Sequence, residues 1–153
     1  MLADSGSVGE ARAVLDSPEL PAGAYEPVSF AAMRAYLDAL ASKSPEARQN
    51  ARRVILSAVE QDKLGAGIAV EALARLGETD TALTLADRTY GRNPLHEPDM
   101  ENLFHPSTAA MRHDPRFRTL VQRLGVLDIC RAGKRPDFCV TEDVPVCRDI
   151  ARR

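Results

Sequence analysis

The sequence predicts an all-α fold, an α-solenoid of short helical hairpins closed by an irregular C-terminal cap. Three observations carry this expectation. The first is an internal repeat. Leu2, Ala3, Gly6 and Ala11 recur as Leu73, Ala74, Gly77 and Ala82, at one constant offset of 71 residues. That offset is close to two units of the roughly 34-residue helix–turn–helix repeat. Leu40-Ala41 followed by Ser44-Pro45-Glu46-Ala47 stands near its midpoint. The second is composition. Aromatic residues make up 5% of the 153 and Trp is absent, so the core must use Leu, Val, Ile, Met and much Ala. Small Ala faces let helices approach closely. The third is apolar spacing of three and four residues between strong helix-stop signals.

The elements follow in chain order. The Pro-rich stretch 17–27 reads as a loop. Phe30, Met33, Leu37 and Leu40 form one stripe, predicting a helix near 28–41. Ser44-Pro45 is an N-cap followed by Pro at the first helical position, and Val54, Ile55, Ala58 and Val59 line that helix to about Gln61. Ile68, Ala72, Leu73 and Leu76 line the next, stopped at Gly77, where glycine can take the left-handed conformation that ends a helix. Ala82, Leu85 and Ala86 line another, ending at Gly91 before Asn93-Pro94. Residues 1–98 are thus the hairpin region, and 99–153 a cap and tail of the same structural domain. In the cap, Pro106 to Arg112 can form a short helix. Asp114-Pro115 starts a second, with Phe117, Leu120, Val121 and Leu124 on one face. Val126 to Arg131 forms a third. Phe104, Phe117, Leu120 and Leu124 are expected to seal the open end of the stack. Beyond Pro136, Pro145 between Val144 and Val146 suggests an extended strap. The repeat begins in the last turn of a helix with no hairpin partner before Leu2. A half-repeat cannot bury its apolar face alone, which suggests the C-terminal part of a larger protein.

The repeats over residues 2–92 resemble tetratricopeptide units. Leu103-Phe104-His105-Pro106, Met111-Arg112-His113-Asp114-Pro115-Arg116-Phe117, Leu124-Gly125 and Pro136-Asp137-Phe138-Cys139 resemble the C-terminal end of bacterial multidomain regulators. In those, a winged-helix DNA-binding domain or a cyclase-like domain precedes a tetratricopeptide array. Such proteins often carry a Tyr-Trp pair where this chain has Ile129-Cys130. The resemblance implies a sensing or docking module without catalytic residues of its own.

Charge and chemistry narrow the function classes. The net charge is −2, which speaks against coating nucleic acid or anionic lipid. The balance is uneven: residues 1–104 carry ten basic and sixteen acidic side chains, whereas 112–135 carry seven basic against Asp114 and Asp128. The basic stretch is a solvated face or a docking patch for an acidic partner or phosphate. No apolar run approaches the roughly 20 residues of a membrane span, and Met1 to Glu10 lacks a signal-peptide pattern. A soluble protein is expected, with the cytoplasm favoured over the periplasm. Reduced, half-buried thiols are the expectation for Cys130, Cys139 and Cys147, with a Cys139–Cys147 pair as the alternative in an oxidising compartment. No metal site is expected, since the cysteines are widely spaced and His96, His105 and His113 lie far upstream. No cofactor is expected either.

No Gly-x-Ser-x-Gly, phosphate-cradling glycine loop or His-Glu-x-x-His occurs, and Gly65-Ala66-Gly67 reads as a turn. A Cys130 pair with His113 or His105 is the sole nucleophile–base combination on offer. Catalysis is therefore not expected. The expected role is an interaction or scaffold module holding a protein or peptide on a concave helical face. The candidate contacts are Arg34, Asp38, Glu71 and Arg75, joined by Tyr36 or Tyr90 if exposed. Arg34 with Asp38 and Glu71 with Arg75 stand four apart, so a local salt bridge is the competing role. Two alternatives remain. One is a small-anion sensor built on His105, Arg112 and Arg116, where a capping role for His105 competes. The other is a redox switch through the cysteines.

Overall fold

Pro45 at the start of a helix and Ser44 before it do what their chemistry dictates. In the computed structural model, which describes residues 7–18, 26–91, 100–133 and 136–151, the Ser44 hydroxyl accepts from the Ala47 amide at 3.1 Å. Helices account for most of the described residues and none of these forms a strand. The chain divides into two compact units, Met1–Gly65 and Ala66–Arg153.

The first unit contains α1 (Val8–Leu15), α2 (Pro27–Ser42) and α3 (Pro45–Glu60). Helices α2 and α3 pair as a hairpin through Ala32, Ala35, Leu37 and Ala39 on one side and Ala51, Ile55 and Ala58 on the other, all buried. The expected stripe was larger: Phe30, Met33 and Leu40 are only half-buried. Alanines take the innermost places because the two helices come close together over them. After α3, Asp62 adopts a left-handed conformation (φ 56°). The Lys63 amide then donates to the Ala58 carbonyl and the Asp62 amide to that of Val59, the paired bonds of a Schellman ending. Helix α1 packs against α2 but buries none of its own side chains.

In the second unit, α4 (Ala66–Arg75) and α5 (Thr79–Tyr90) form another hairpin. Gly77 is left-handed (φ 80°), and the same Schellman pair closes α4, from Glu78 to Leu73 and from Gly77 to Ala74. The buried face of α4 is Gly67, Ala69, Val70, Leu73 and Ala74. It is rotated from the expected one: Ile68 is 49% exposed and Ala72 half-buried. The reason is that α4 is covered on two sides, by α5 and by the cap's 3-10 segments Met100–Phe104 and Pro106–Thr108. Short helices α6 (Ala109–Arg112), α7 (Pro115–Arg123) and α8 (Val126–Ala132) continue the cap.

Phe117, Leu120 and Val121 are buried as the periodicity predicts, with Leu124 and Phe104 half-buried. Phe104 meets Phe117 edge-on (6.2 Å, 81°) and stacks on Phe138 (5.8 Å, 15°). Because the cap packs on α4 and α5, the natural division falls at Gly65 and not at 98. The tail corrects a second expectation. It is not an extended strap but two short helices, α9 (Phe138–Thr141) and α10 (Pro145–Ala151). Pro145 opens α10, where its missing N–H costs nothing, and Val144, Val146, Cys147 and Ile150 are buried. The loops expected at 19–25 and 93–98 lie outside the described residues.

The cap helix is a quantitative test of this packing. Phe117→Ala should cost about 3–5 kcal/mol in a urea melt. A loss below about 1 kcal/mol would show that α7 is not a core element.

Candidate functional site

Four charged residues on α1 and α2 form a closed set. Arg34 Nη2 lies 2.6 Å from Asp16 Oδ1, Arg12 pairs with Asp38, and Arg12 also reaches Asp16 within its own helix at 3.9 Å. The expected local bridge between Arg34 and Asp38 is therefore replaced by reciprocal bridges between two helices. The Arg34 guanidinium also sits 5.2 Å from the Phe30 ring centroid. All four side chains remain 41–45% exposed, so each bridge is screened and individually weak.

In the second unit, Glu71 also pairs outside its own helix. Glu71 Oε1 lies 3.2 Å from His105 Nδ1, linking α4 to the cap. His105 caps the 3-10 turn at Pro106, its Nδ1 lying 3.4 Å from the Ser107 amide and 2.7 Å from the Ser107 hydroxyl. That is the capping role weighed against ligation. Arg75 is half-buried. Tyr36 is half-buried, whereas Tyr90 is fully buried and offers no contact surface.

Arg112 corrects the anion-site expectation. Its side chain is only 1% exposed. Its Nε and Nη2 donate to the two Glu142 carboxylate oxygens at 2.7 and 2.5 Å. Its Nη1 donates to the His105 carbonyl at 2.9 Å and the Thr108 hydroxyl at 3.1 Å, and the Phe138 ring covers it at 5.0 Å. A guanidinium buried this completely must be paired and hydrogen-bonded, and here it is. Glu142 is held below the ordinary carboxylate value of 4.5, chiefly by the bonds from Arg112, with burial opposing and the Arg112 and His113 charges adding.

Arg116 pairs with Asp80 of α5, and with Asp114 at 2.6 Å. Those bonds lower the Asp114 carboxyl and raise the Arg116 guanidinium above its ordinary value. His105, Arg112 and Arg116 thus each face a carboxylate of this chain, and of the three the bond to the His105 carbonyl brings His105 and Arg112 together. The rest of the basic stretch is used likewise: Arg118 pairs with Asp149, Arg123 with Asp87 and Arg131 with Asp128. Lys134 and Arg135 lie outside the described residues.

Cys139 and Cys147 are joined by a disulfide across 5.3 Å between their Cα atoms, in place of the expected reduced thiols. Cys130 is free and half-buried, and burial pushes its thiol up, so neutral pH leaves it a weak nucleophile. Among the described residues no three His, Cys, Asp or Glu side chains stand close enough to hold a metal ion, and no helix is long and apolar enough to cross a membrane. No family model, curated protein or solved structure matches the chain.

Arg12, Asp16 and Glu142, the partners of candidate residues Asp38, Arg34 and Arg112, were not legible in the sequence. Arg12 and Asp16 stand four apart, as Arg34 and Asp38 do, and that parallel was the available signal. Glu142 gave none, because its partner lies 30 residues away.

The Arg112 clip yields two expected outcomes. Glu142→Ala strands a buried charge and should cost about 3 kcal/mol in a chemical melt, the low end for a buried pair because Glu142 keeps an exposed edge. Glu142 has a lowered folded pKa, so its contribution is complete above about 4.5 and is lost as pH falls through the folded value. Glu142→Gln should flatten the acid limb of a stability–pH curve, and an unchanged limb would contradict the pairing. Separately, Cys139→Ser should cost about 2–3 kcal/mol from the lost loop constraint, read as a lower melting midpoint than that of the oxidised wild type.

Proposed function

We propose that the chain is a protein-interaction module, in which a helical hairpin holds a peptide or a sister domain against a polar helix row, that of α2 in the first unit or that of α4 in the second, within a larger regulatory protein. The observation that carries this reading is the α1–α2 contact. The Arg34–Asp38 row of α2 engages a second helix by matching its charges in order, and does so without burying any side chain of that helix. A row that recognises one helix this way is chemically equipped to recognise another. Glu71 makes the same kind of outward contact on α4.

Less supports the anion-sensing alternative, since Arg112, one of its three candidate residues, is paired with Glu142. The redox alternative retains a real disulfide, but both sulfurs are buried beside core residues, which fits a staple as well as a switch.

A displayed peptide library selected on the full chain tests the proposal. Peptides that engage the first unit should lose about tenfold in affinity, equivalent to about 1.4 kcal/mol, on Arg34→Ala, and those that engage the second should do so on Glu71→Ala, with the helical circular dichroism unchanged. Enrichment of binders that ignore Arg34, Asp38, Glu71 and Arg75 alike would overturn the assignment of these rows.

A further inference from the structure

We infer that α1 is an in-cis occupant of the α2 docking row, and that the partner of this row is a helix carrying Arg and Asp four residues apart. The inference rests on the reading of α2 as a docking row and adds who sits there and what displaces it.

Two independent observations meet here. The first is the pairing itself. Arg12 and Asp16 of one helix face Asp38 and Arg34 of the other, so the two rows run with opposite charge order. Only a helix presenting an Arg-x-x-x-Asp row in this orientation satisfies both charges; the reversed row sets like against like. The second is the anchoring of α1 compared with its repeat equivalent. At the offset of 71 residues, Val8 at the start of α1 corresponds to Thr79 at the start of α5. Yet α5 buries Ala82, Leu83, Leu85, Ala86 and Tyr90, whereas no residue of α1 is fully buried and its apolar Val8, Ala11 and Leu15 are only half-buried. Arg12 stands where α5 has the core residue Leu83, and Val14, where α5 has buried Leu85, is 51% exposed. The repeat position is kept, the apolar contact is reduced to half-buried Val8, Ala11 and Leu15, and the core leucine position carries a charge at Arg12. A helix of eight residues is marginal without tertiary support, and exposed ion pairs supply little. What favours α1 on this row is its tether, the eleven residues between Leu15 and Pro27, which gives it a high effective concentration.

The experiment uses the full chain and a fluorescent peptide with the sequence of residues 7–18. Wild type should bind this peptide poorly, because α1 holds the row. The double variant Arg12→Ala/Asp16→Ala should bind it about three- to tenfold more tightly by anisotropy, the range two exposed ion pairs can supply, with affinity falling as salt rises. A peptide with Arg and Asp exchanged should bind only when Arg34→Asp and Asp38→Arg are added to that double variant. No gain on freeing the row, or equal binding of native and exchanged peptides, overturns the inference. If library peptides still depend on Glu71 or Arg75 in that event, the interaction module stands and only the occupancy of α2 by α1 falls. A wild-type dimer that dissociates in the double variant would place a second copy's α1 on the row and would also overturn displacement in cis.

Discussion

Close approach of helices over alanine is the constraint from which the other features follow. Ala35, Ala39, Ala51 and Ala58 in the first unit, and Ala69, Ala74, Ala82 and Ala86 in the second, are all buried. Such contacts allow tight packing, but each methyl removes little apolar area from water, and the hydrophobic gain scales with that area. A hairpin built this way is thinly stabilised and needs cover. In the second unit the cap provides it, placing Leu103, Met111, Phe117 and Val121 as bulkier buried side chains among the small ones. The demand for cover also explains the rotated face of α4, which has two neighbours to satisfy and therefore cannot follow a single stripe.

Charge is the second level of organisation. The basic excess in 112–131 looks, in sequence, like a surface awaiting an acidic partner. Folded, it meets carboxylates of its own chain. Arg116 and Arg123 of α7 are seven residues apart, as are Asp80 and Asp87 of α5, so the two helices are linked at two rungs spaced by two turns. Gly91 belongs to this arrangement: a Cβ there would lie 2.5 Å from the Arg123 guanidinium, so the glycine that ends α5 serves close approach and not a left-handed turn. Arg112 differs in kind. Its pair with Glu142 is buried, bidentate and backed by the His105 carbonyl and Thr108, and it joins the tail to the cap where a misplaced charge would be costly.

What could be read from sequence was local. Ser44-Pro45, Asp114-Pro115, Gly77 and the 117–124 stripe encode their caps and faces within a few residues, and the structure follows them. What could not be read was long-range. Pro145 and flanking valines look alike at the edge of a strand and at the first turn of a helix, so the sequence alone suggests an extended tail; the burial of Ile150 and Cys147 goes with the helix that forms. Arginine is usually exposed, so the sequence points Arg112 toward a surface, and nothing near it in sequence announces Glu142. The same limit applies to Arg34 and Asp38, whose four-residue spacing suggested a bridge within one helix although a neighbouring helix offered better-placed charges.

The contrast between α1 and α5 bears most directly on function. They begin at equivalent places in the repeat, and Asp16 and Asp87, which correspond, both pair with an arginine of a neighbouring helix. In α5 that pair supplements a buried apolar face. In α1 the apolar side chains beside it, Val8, Ala11 and Leu15, are only half-buried. Had the first unit required α1 for its core, an apolar side chain at position 12 would have been the stabilising choice, as Leu83 is in α5. An arginine there contributes little stability but confers charge order, which discriminates between partners more than it adds affinity. Charge order at a half-buried contact is the physical feature on which the proposed exchange of one helix for another on α2 rests.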